Sequence, residues 1–167
     1  NMNDYIIEAV HSRDLRCFSF FLHHYENRLN GRVRRFLLRE GLDRYNPERF
    51  LDYKMECVLA MLNCLREYDP AQGADFLTYA HHFIGNALLT CRMQEEAGSF
   101  ENVDEYKAVR GIAWLYNQSG QSEQAAIQKY AQENGCTEKT AAKFLALAKQ
   151  NRSRVPFYQT IQDEDSE

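Results

Sequence analysis

The sequence predicts an all-α fold, and three observations support this prediction. Glycine and proline together are scarce, with 8 and 3 residues in a chain of 167, whereas an all-β fold needs many tight turns. Apolar residues recur at spacings of three and four along the chain, which is the period of a helix. Hydrophobic residues make up 44% and aromatic residues 13%, enough to form a core and to exclude a wholly disordered chain.

The first two helices are separated by a capping signal. The pattern predicts a short helix over residues 4–11 and a long helix after it, with Ser12 as the N-cap. Gly41 follows the long helix at the position where a left-handed residue commonly ends one. Its predicted core residues are Phe18, Phe21, Leu22, Leu29, Val33, Phe36 and Leu37.

The third helix has a clear start at Asn46-Pro47, because asparagine caps helices and proline suits the first helical position. Its apolar residues are spaced by four and three, and we expect them to form a buried stripe: Leu51, Met55, Val58, Leu62 and Leu65. Four polar residues form a second stripe, which we expect to lie opposite the leucines: Asp52, Glu56, Asn63 and Glu67.

A turn over residues 69–73 ends the third helix, and Asp75 can cap a fourth that reaches to about Glu96. Five residues of the fourth helix are expected to face the core: Phe76, Ala80, Ile84, Ala87 and Cys91. The adjacent carboxylates Glu95 and Glu96 are expected on a solvated surface. The chain breaks again at 97–99.

The remaining sequence predicts a three-helix module. Ser122 and Thr137 are suited to cap its second and third helices, and Gly135 to end the second. The spacing from Ala131 through Gly135 to Ala141 fits a helix-turn-helix, although a simple helical hairpin gives the same pattern. The core residues are expected to be Val109, Ile112, Leu115, Ile127, Tyr130, Ala131, Ala141, Phe144, Leu145 and Ala148.

Several function classes receive no support. The longest apolar runs fall well short of a membrane span, and the five scattered cysteines indicate reduced thiols of a cytoplasmic protein rather than a disulfide framework or metal site. No motif of a hydrolase, metalloprotease or nucleotide-binding enzyme occurs. We therefore expect a protein that is not an enzyme and uses no cofactor. The net charge of −4 does not favour non-specific wrapping of duplex DNA.

Residues 51–88 read LDYKMECVLAMLNCLREYDPAQGADFLTYAHHFIGNAL, with a YDP-x-x-G turn at the centre. This segment resembles the second conserved region of bacterial sigma factors, the promoter-recognition subunits of RNA polymerase. Thirteen positions are in register with the family pattern without a gap: Asp52, Glu56, Leu62, Tyr68, Asp69, Pro70, Gly73, Phe76, Thr78, Tyr79, Ala80, Ile84 and Ala87. The sequence departs from the pattern at Met55, where the family has glutamine, and at Cys57, where it has glycine.

The resemblance implies a domain organisation. Residues 1–97 would form a region-two-like helical domain, and 98–155 a three-helix module similar to region three. The acidic tail 156–167 is similar to the start of the family's finger loop. The strand-like segment 155–157 and the acids at 163–165 belong to that likeness. The fourth region, which reads the minus-thirty-five element, has no counterpart in these residues, so a separate region-four protein is a possible partner, as is an anti-sigma factor.

The resemblance also implies two binding surfaces. Leu51, Asp52, Met55 and Glu56 would contact the β′ clamp helices of core RNA polymerase. A second set would bind the non-template strand of the minus-ten promoter element: Thr78, Tyr79, His82, Phe83, Asn86 and Thr90. Except for Thr78, these side chains fall within roughly 100° around the helix, and aromatic rings at that spacing can stack unpaired bases. Phe83 could instead pack inward beside Ile84.

Two further features bear on function. Gly85-Asn86 stands where the family has Arg-Gln, so one positive charge for phosphate is missing at that position. Arginines at steps of four, three and four form a basic stripe on the long helix: Arg28, Arg32, Arg35 and Arg39. The leading hypothesis is a sigma-like initiation protein. The alternatives are a stand-alone helix-turn-helix regulator that reads DNA with residues 137–149, or a polymerase-binding regulator that has lost promoter melting.

Overall fold

The computed structural model describes residues 2–43, 45–96 and 100–151 of the chain, and within these ranges the protein is all-α. The prediction of fold class is therefore confirmed. The described helices are α1 (Met2–Ser12), α2 (Leu15–Arg39), α3 (Pro47–Leu65), α4 (Phe76–Glu96), α5 (Val103–Gln118), α6 (Glu123–Asn134) and α7 (Glu138–Gln150), with a single 3-10 turn at Pro70–Gln72. No helix in these ranges combines the length and the apolar character of a membrane span.

Most of the predicted helix ends are present. The Asn46 side chain accepts a hydrogen bond from the backbone N–H of Arg49 at 3.1 Å, and Pro47 is the first helical residue of α3. Asp75, Ser122 and Thr137 likewise accept backbone N–H groups at the starts of α4, α6 and α7. Gly41 and Gly135 both have positive φ after their helices, as left-handed ending residues do.

The predicted cap of α2 at Ser12 is wrong. Helix α1 continues through Ser12, whose hydroxyl donates to the Glu8 carbonyl at 2.7 Å. Asp14 caps α2 instead, and its carboxylate accepts the Arg16 N–H at 2.8 Å. Arg13 takes a positive φ of 53° between the two helices. The chain therefore reverses in two residues, which leaves no room for a separate capping residue at position 12.

The chain divides into two compact units, residues 1–91 and 92–167. In the first unit, aromatic rings join α2 to α4. The ring centroids of Phe21 and Phe76 are 4.8 Å apart, and those of Tyr68 and Phe76 are 5.2 Å apart, both edge to face. Such pairs add to the free energy gained by burying large rings. Because Phe76 begins α4, this cluster fixes where that helix starts.

The predicted buried stripe of α3 is wrong in three of its five members. Leu51, Met55 and Leu62 are exposed, whereas Leu65 is buried and Val58 is half-buried. The buried side of α3 consists of Tyr53, Cys57, Met61, Cys64 and Leu65. This second stripe has the same helical spacing, and its Tyr53 ring packs inward at 5.8 Å from the ring of Phe36.

In the second unit, α5, α6 and α7 pack against one another around a core of Ile112, Leu115, Ala126, Tyr130, Ala131, Ala141 and Leu145. Most predicted core residues of this module are buried, while Ile127 and Phe144 are half-buried. The rings of Tyr130 and Phe144 meet edge to face at 6.1 Å. The tail 156–167 and the segment 155–157 lie outside the described residues.

The second unit begins at Arg92, inside α4 and before the predicted boundary at 97/98. A buried polar network explains this position. The Tyr106 hydroxyl donates to the Glu96 carboxylate at 2.7 Å and accepts from Arg110 Nη1 at 3.0 Å. The Glu96 side chain is only 5% exposed, so the expectation that it is solvated is wrong. The last turn of α4 is joined to α5 by these bonds.

Candidate binding surfaces

The solvent side of α3 is apolar along one line and acidic along the next. We call it the α3 outer face, and it consists of Leu51, Asp52, Met55, Glu56, Leu59 and Leu62. Its apolar members are strongly exposed, at 54% for Leu51, 48% for Met55, 49% for Leu59 and 38% for Leu62. Asp52 and Glu56 are exposed too, and within the described residues neither forms an ion pair.

The geometry of the helix explains how the two lines lie side by side. At 100° per residue, the apolar members fall within about 80° of one another, and the two acids lie about 100° to 140° from Leu51. The acids therefore border the leucines, and the prediction that they lie opposite is wrong. Sequence reasoning also missed Leu59, although its spacing of four from Met55 placed it on the same line.

The outer side of α4 carries the predicted aromatic residues. We call Tyr79, His82 and Phe83 the aromatic face. Phe83 is 43% exposed while its neighbour Ile84 is buried, so Phe83 faces outward and the alternative of inward packing is wrong. His82 is exposed and Tyr79 is half-buried. The ring centroids of Tyr79 and Phe83 are 5.8 Å apart, one helical turn from each other.

Tyr68 supports the aromatic face from the turn before α4, and sequence reasoning did not assign it to this site. Its ring lies 5.3 Å from the ring of Tyr79, and its hydroxyl donates to the Ala74 carbonyl at 2.7 Å. Partial burial raises the pKa of both tyrosines. Both phenols are therefore uncharged at physiological pH, and their neutral rings can stack on other flat rings.

The polar residues of the predicted DNA-binding set on α4 differ in exposure and in whether their hydrogen-bonding groups are already occupied. The Thr90 hydroxyl donates to the Asn86 carbonyl of its own helix at 2.8 Å, which occupies its proton. Thr90 and Asn86 are half-buried, whereas Thr78 is exposed one turn before His82. Of the two threonines, Thr78 is therefore the one whose hydroxyl is better placed to meet a ligand.

The basic stripe of α2 is not simply a solvated face. The Arg32 guanidinium is largely buried and donates through Nη2 to the His81 carbonyl of α4 at 2.9 Å. A Cβ at Gly85 would lie 3.3 Å from the same Nη2, so the absence of a side chain there leaves room for Arg32. Gly85 therefore packs against a largely buried arginine of α2.

Helices α6 and α7 form the predicted helical hairpin, with Gly135 in the left-handed conformation between them. The exposed side of α7 includes Lys139 and Lys143. Lys149 forms an ion pair with Glu123 and lies over the Tyr116 ring. Because α7 has few side chains suited to hydrogen bonding with base edges, the hairpin is a weaker DNA-binding candidate than the aromatic face.

Comparison with protein-family models, with curated proteins and with solved structures finds no match to this chain. The resemblance to sigma factors therefore depends on the residues of segment 51–88 alone.

Proposed function

We propose that the protein is a sigma-like transcription initiation factor. It binds the β′ clamp helices of core RNA polymerase through the α3 outer face, and it captures the non-template strand of the minus-ten promoter element through the aromatic face of α4. The five cysteines are all free thiols, which is consistent with action in the cytoplasm. We propose no catalytic role and no cofactor for it.

The observation that carries the proposal is the outward exposure of four large apolar side chains on one helix. A contiguous apolar surface on a small protein is costly in water and commonly marks an interface. Here it is bordered by Asp52 and Glu56, so the partner that fits it has apolar residues beside positive charges. Met55 contributes to the apolar line, and its substitution for the family's glutamine replaces a hydrogen bond with apolar contact.

The aromatic face supports promoter melting over a regulator that has only kept polymerase binding. Tyr79 and Phe83 present neighbouring rings, tilted by 41° to each other, next to an exposed histidine. A base that leaves the duplex must be stabilised by stacking on rings of this kind. Phe83 is 43% exposed, so its ring is accessible to an unpaired base. This face also distinguishes the proposal from a stand-alone helix-turn-helix regulator, which would read DNA through α7.

Charge reversal on α3 tests polymerase binding. We expect the double variant Asp52→Lys, Glu56→Lys to lose most of its affinity for core RNA polymerase in a pull-down or surface-binding assay, with unchanged helical content by circular dichroism. The variant Glu8→Lys, Glu101→Lys is a matched control, because it makes the same change in net charge at two exposed positions off this face. Undiminished binding of the α3 variant to the polymerase would show the proposal to be wrong.

A further inference from the structure

Arg66 places a positive charge at the end of the α3 outer face. It directly follows α3 as its C-cap, and its φ of −61° and ψ of −31° continue the helix. At 100° per residue it lies about 60° from Leu51 around the helix, so it falls on the apolar line. Arg66 is exposed, and within the described residues it forms no ion pair. The apolar line therefore ends in a base, whereas the exposed acid Asp52 lies beside its start.

Leu59 is the centre of this arrangement of charges. Asp52 lies seven residues before it and Arg66 seven residues after it, so each is about 10 Å from Leu59 along the helix axis. Glu56 and Asn63, which are both exposed, lie three residues before and four residues after Leu59. A half-turn about an axis perpendicular to α3 at Leu59 therefore brings each acid to the position of a base or of an amide.

We propose that the α3 outer face binds a second copy of this chain, with the two α3 helices antiparallel across a two-fold axis at Leu59. In this dimer Asp52 of each copy faces Arg66 of the other, and Glu56 of each copy faces Asn63 of the other. A two-fold interface makes every such contact twice. The two apolar lines cover each other, so the exposed leucines and methionine of both copies are removed from water.

A second copy fits this face because it supplies every group that the face needs. The partner surface must be an apolar line that presents a base to Asp52 and an acid to Arg66, about 21 Å apart along the helix. In the antiparallel direction, α3 itself has this arrangement. The nearby Glu67 lies about 160° from Leu51 around the helix, so it points away from the apolar line and leaves Arg66 available to the other copy.

The dimer covers the surface that the proposed function assigns to RNA polymerase. This consequence rests on the proposed function, whereas the dimer itself does not. Because one α3 cannot contact both partners at once, the dimer is a form of the protein that does not bind polymerase. The contact between one pair of helices is at the small end of interface sizes. We therefore expect a dissociation constant on the order of 10–100 μM, weak enough for a tighter partner to displace the second copy.

Sedimentation equilibrium of the full chain at about 5 to 500 μM tests the dimer, and we expect an equilibrium between monomer and dimer. Asp52→Arg and Arg66→Asp, each alone, should weaken self-association about tenfold or more, because each replaces two ion pairs of the dimer with two contacts between like charges. An equimolar mixture of these two variants should dimerise again, because unlike charges then face each other at both contacts.

Glu101→Arg and Lys139→Asp are the matched controls, because they make the same changes of charge at exposed positions of other elements. They should leave the dissociation constant unchanged, both alone and mixed. Leu59→Asp should give a monomer with unchanged helical content by circular dichroism, since it places two carboxylates together at the axis. A monomeric original protein at about 500 μM would overturn the inference. So would α3 variants that do not associate on mixing, or a dimer that survives Leu59→Asp.

The stoichiometry of the polymerase complex tests the competition separately. In sedimentation velocity with an excess of labelled chain, core RNA polymerase should bind one chain and no dimer. A complex that holds the dimer would contradict mutual exclusion of the two partners. Absence of any binding to polymerase would count against the proposed function and would leave the measured dimer unaffected.

Discussion

Tyr106 is the polar centre of the second unit. Its side chain is fully buried, and its hydroxyl is bonded on one side to Glu96 and on the other to Arg110, whose guanidinium lies 5.3 Å from the Tyr106 ring centroid. A buried carboxylate or guanidinium that loses its partner is costly, because it was taken out of water to make that bond. The hydroxyl therefore bridges the two charged groups between α4 and α5, and the Glu96 carboxylate is also paired with Arg92 at 3.0 Å.

We expect Tyr106→Phe to lower the free energy of unfolding by about 1–3 kcal/mol, the usual cost of leaving a buried polar group without its bond. The ring and its packing against Phe100 at 5.0 Å are retained, so the loss reports the hydroxyl alone. Urea denaturation monitored by circular dichroism measures it. Tyr45→Phe is the matched control, because Tyr45 is 74% exposed and should change stability little.

The Tyr106→Phe substitution should also change how the free energy of unfolding depends on pH. Burial raises the pKa of Tyr106, so the folded state holds the phenolic proton above the pH at which the unfolded state releases it, near 10. The contribution of this group to stability is present below pH 10 and falls as the pH rises further. Above pH 10, stability should therefore decline less steeply in Tyr106→Phe than in the original protein. Equal slopes would contradict the assignment of a buried, neutral phenol.

At the scale of elements, helix starts were the most predictable feature. Asn46, Asp75, Ser122 and Thr137 each bond to backbone N–H groups as expected, because capping is a local interaction that sequence encodes directly. The faces of α3 were not predictable in the same way. Two apolar stripes of equal spacing run along this helix, and periodicity alone cannot tell which of them packs inward.

A pair of substitutions on α3 distinguishes the two stripes. Leu59→Gln should change the free energy of unfolding by less than about 0.5 kcal/mol, because Leu59 is 49% exposed. Met61→Gln, two residues along and fully buried, should cost about 2 kcal/mol or more, since the amide would be buried in an apolar core. Chemical denaturation of both variants measures this difference. Comparable losses of stability would contradict the orientation of α3.

The sequence predicted which residues of α4 belong to the candidate site, but it did not predict which residues from other parts of the chain contact them. The positions on α4 were implied by the resemblance to sigma factors, whereas Tyr68 joined them only through the turn that brings its ring beside Tyr79 at 5.3 Å. The contact of Arg32 with Gly85 is also tertiary, linking residues more than fifty positions apart. In the first unit, the structure places acidic and apolar residues on the outer side of α3 and the aromatic rings on the outer side of α4. The two surfaces differ in chemistry, which suits the two partners proposed.

Under the proposed function, the behaviour of the whole molecule in transcription depends on what the aromatic face can bind. Stacking on Tyr79 and Phe83 requires bases that are already unpaired, at about 1–3 kcal/mol for each base. Opening duplex DNA costs about 1.4 kcal/mol for each base-pair step, so two or three stacked bases offset only part of the cost of opening a promoter.

We therefore expect these 167 residues with core RNA polymerase to initiate poorly on linear duplex promoters and much better on templates that are pre-melted across the minus-ten element. Run-off transcription on matched templates measures the ratio, with polymerase alone as the background. Tyr79→Ala should reduce initiation on the pre-melted template, because that template still depends on strand capture. Equal initiation on duplex and pre-melted templates would contradict a role limited to strand capture, since the protein would then be supplying the energy of melting from elsewhere.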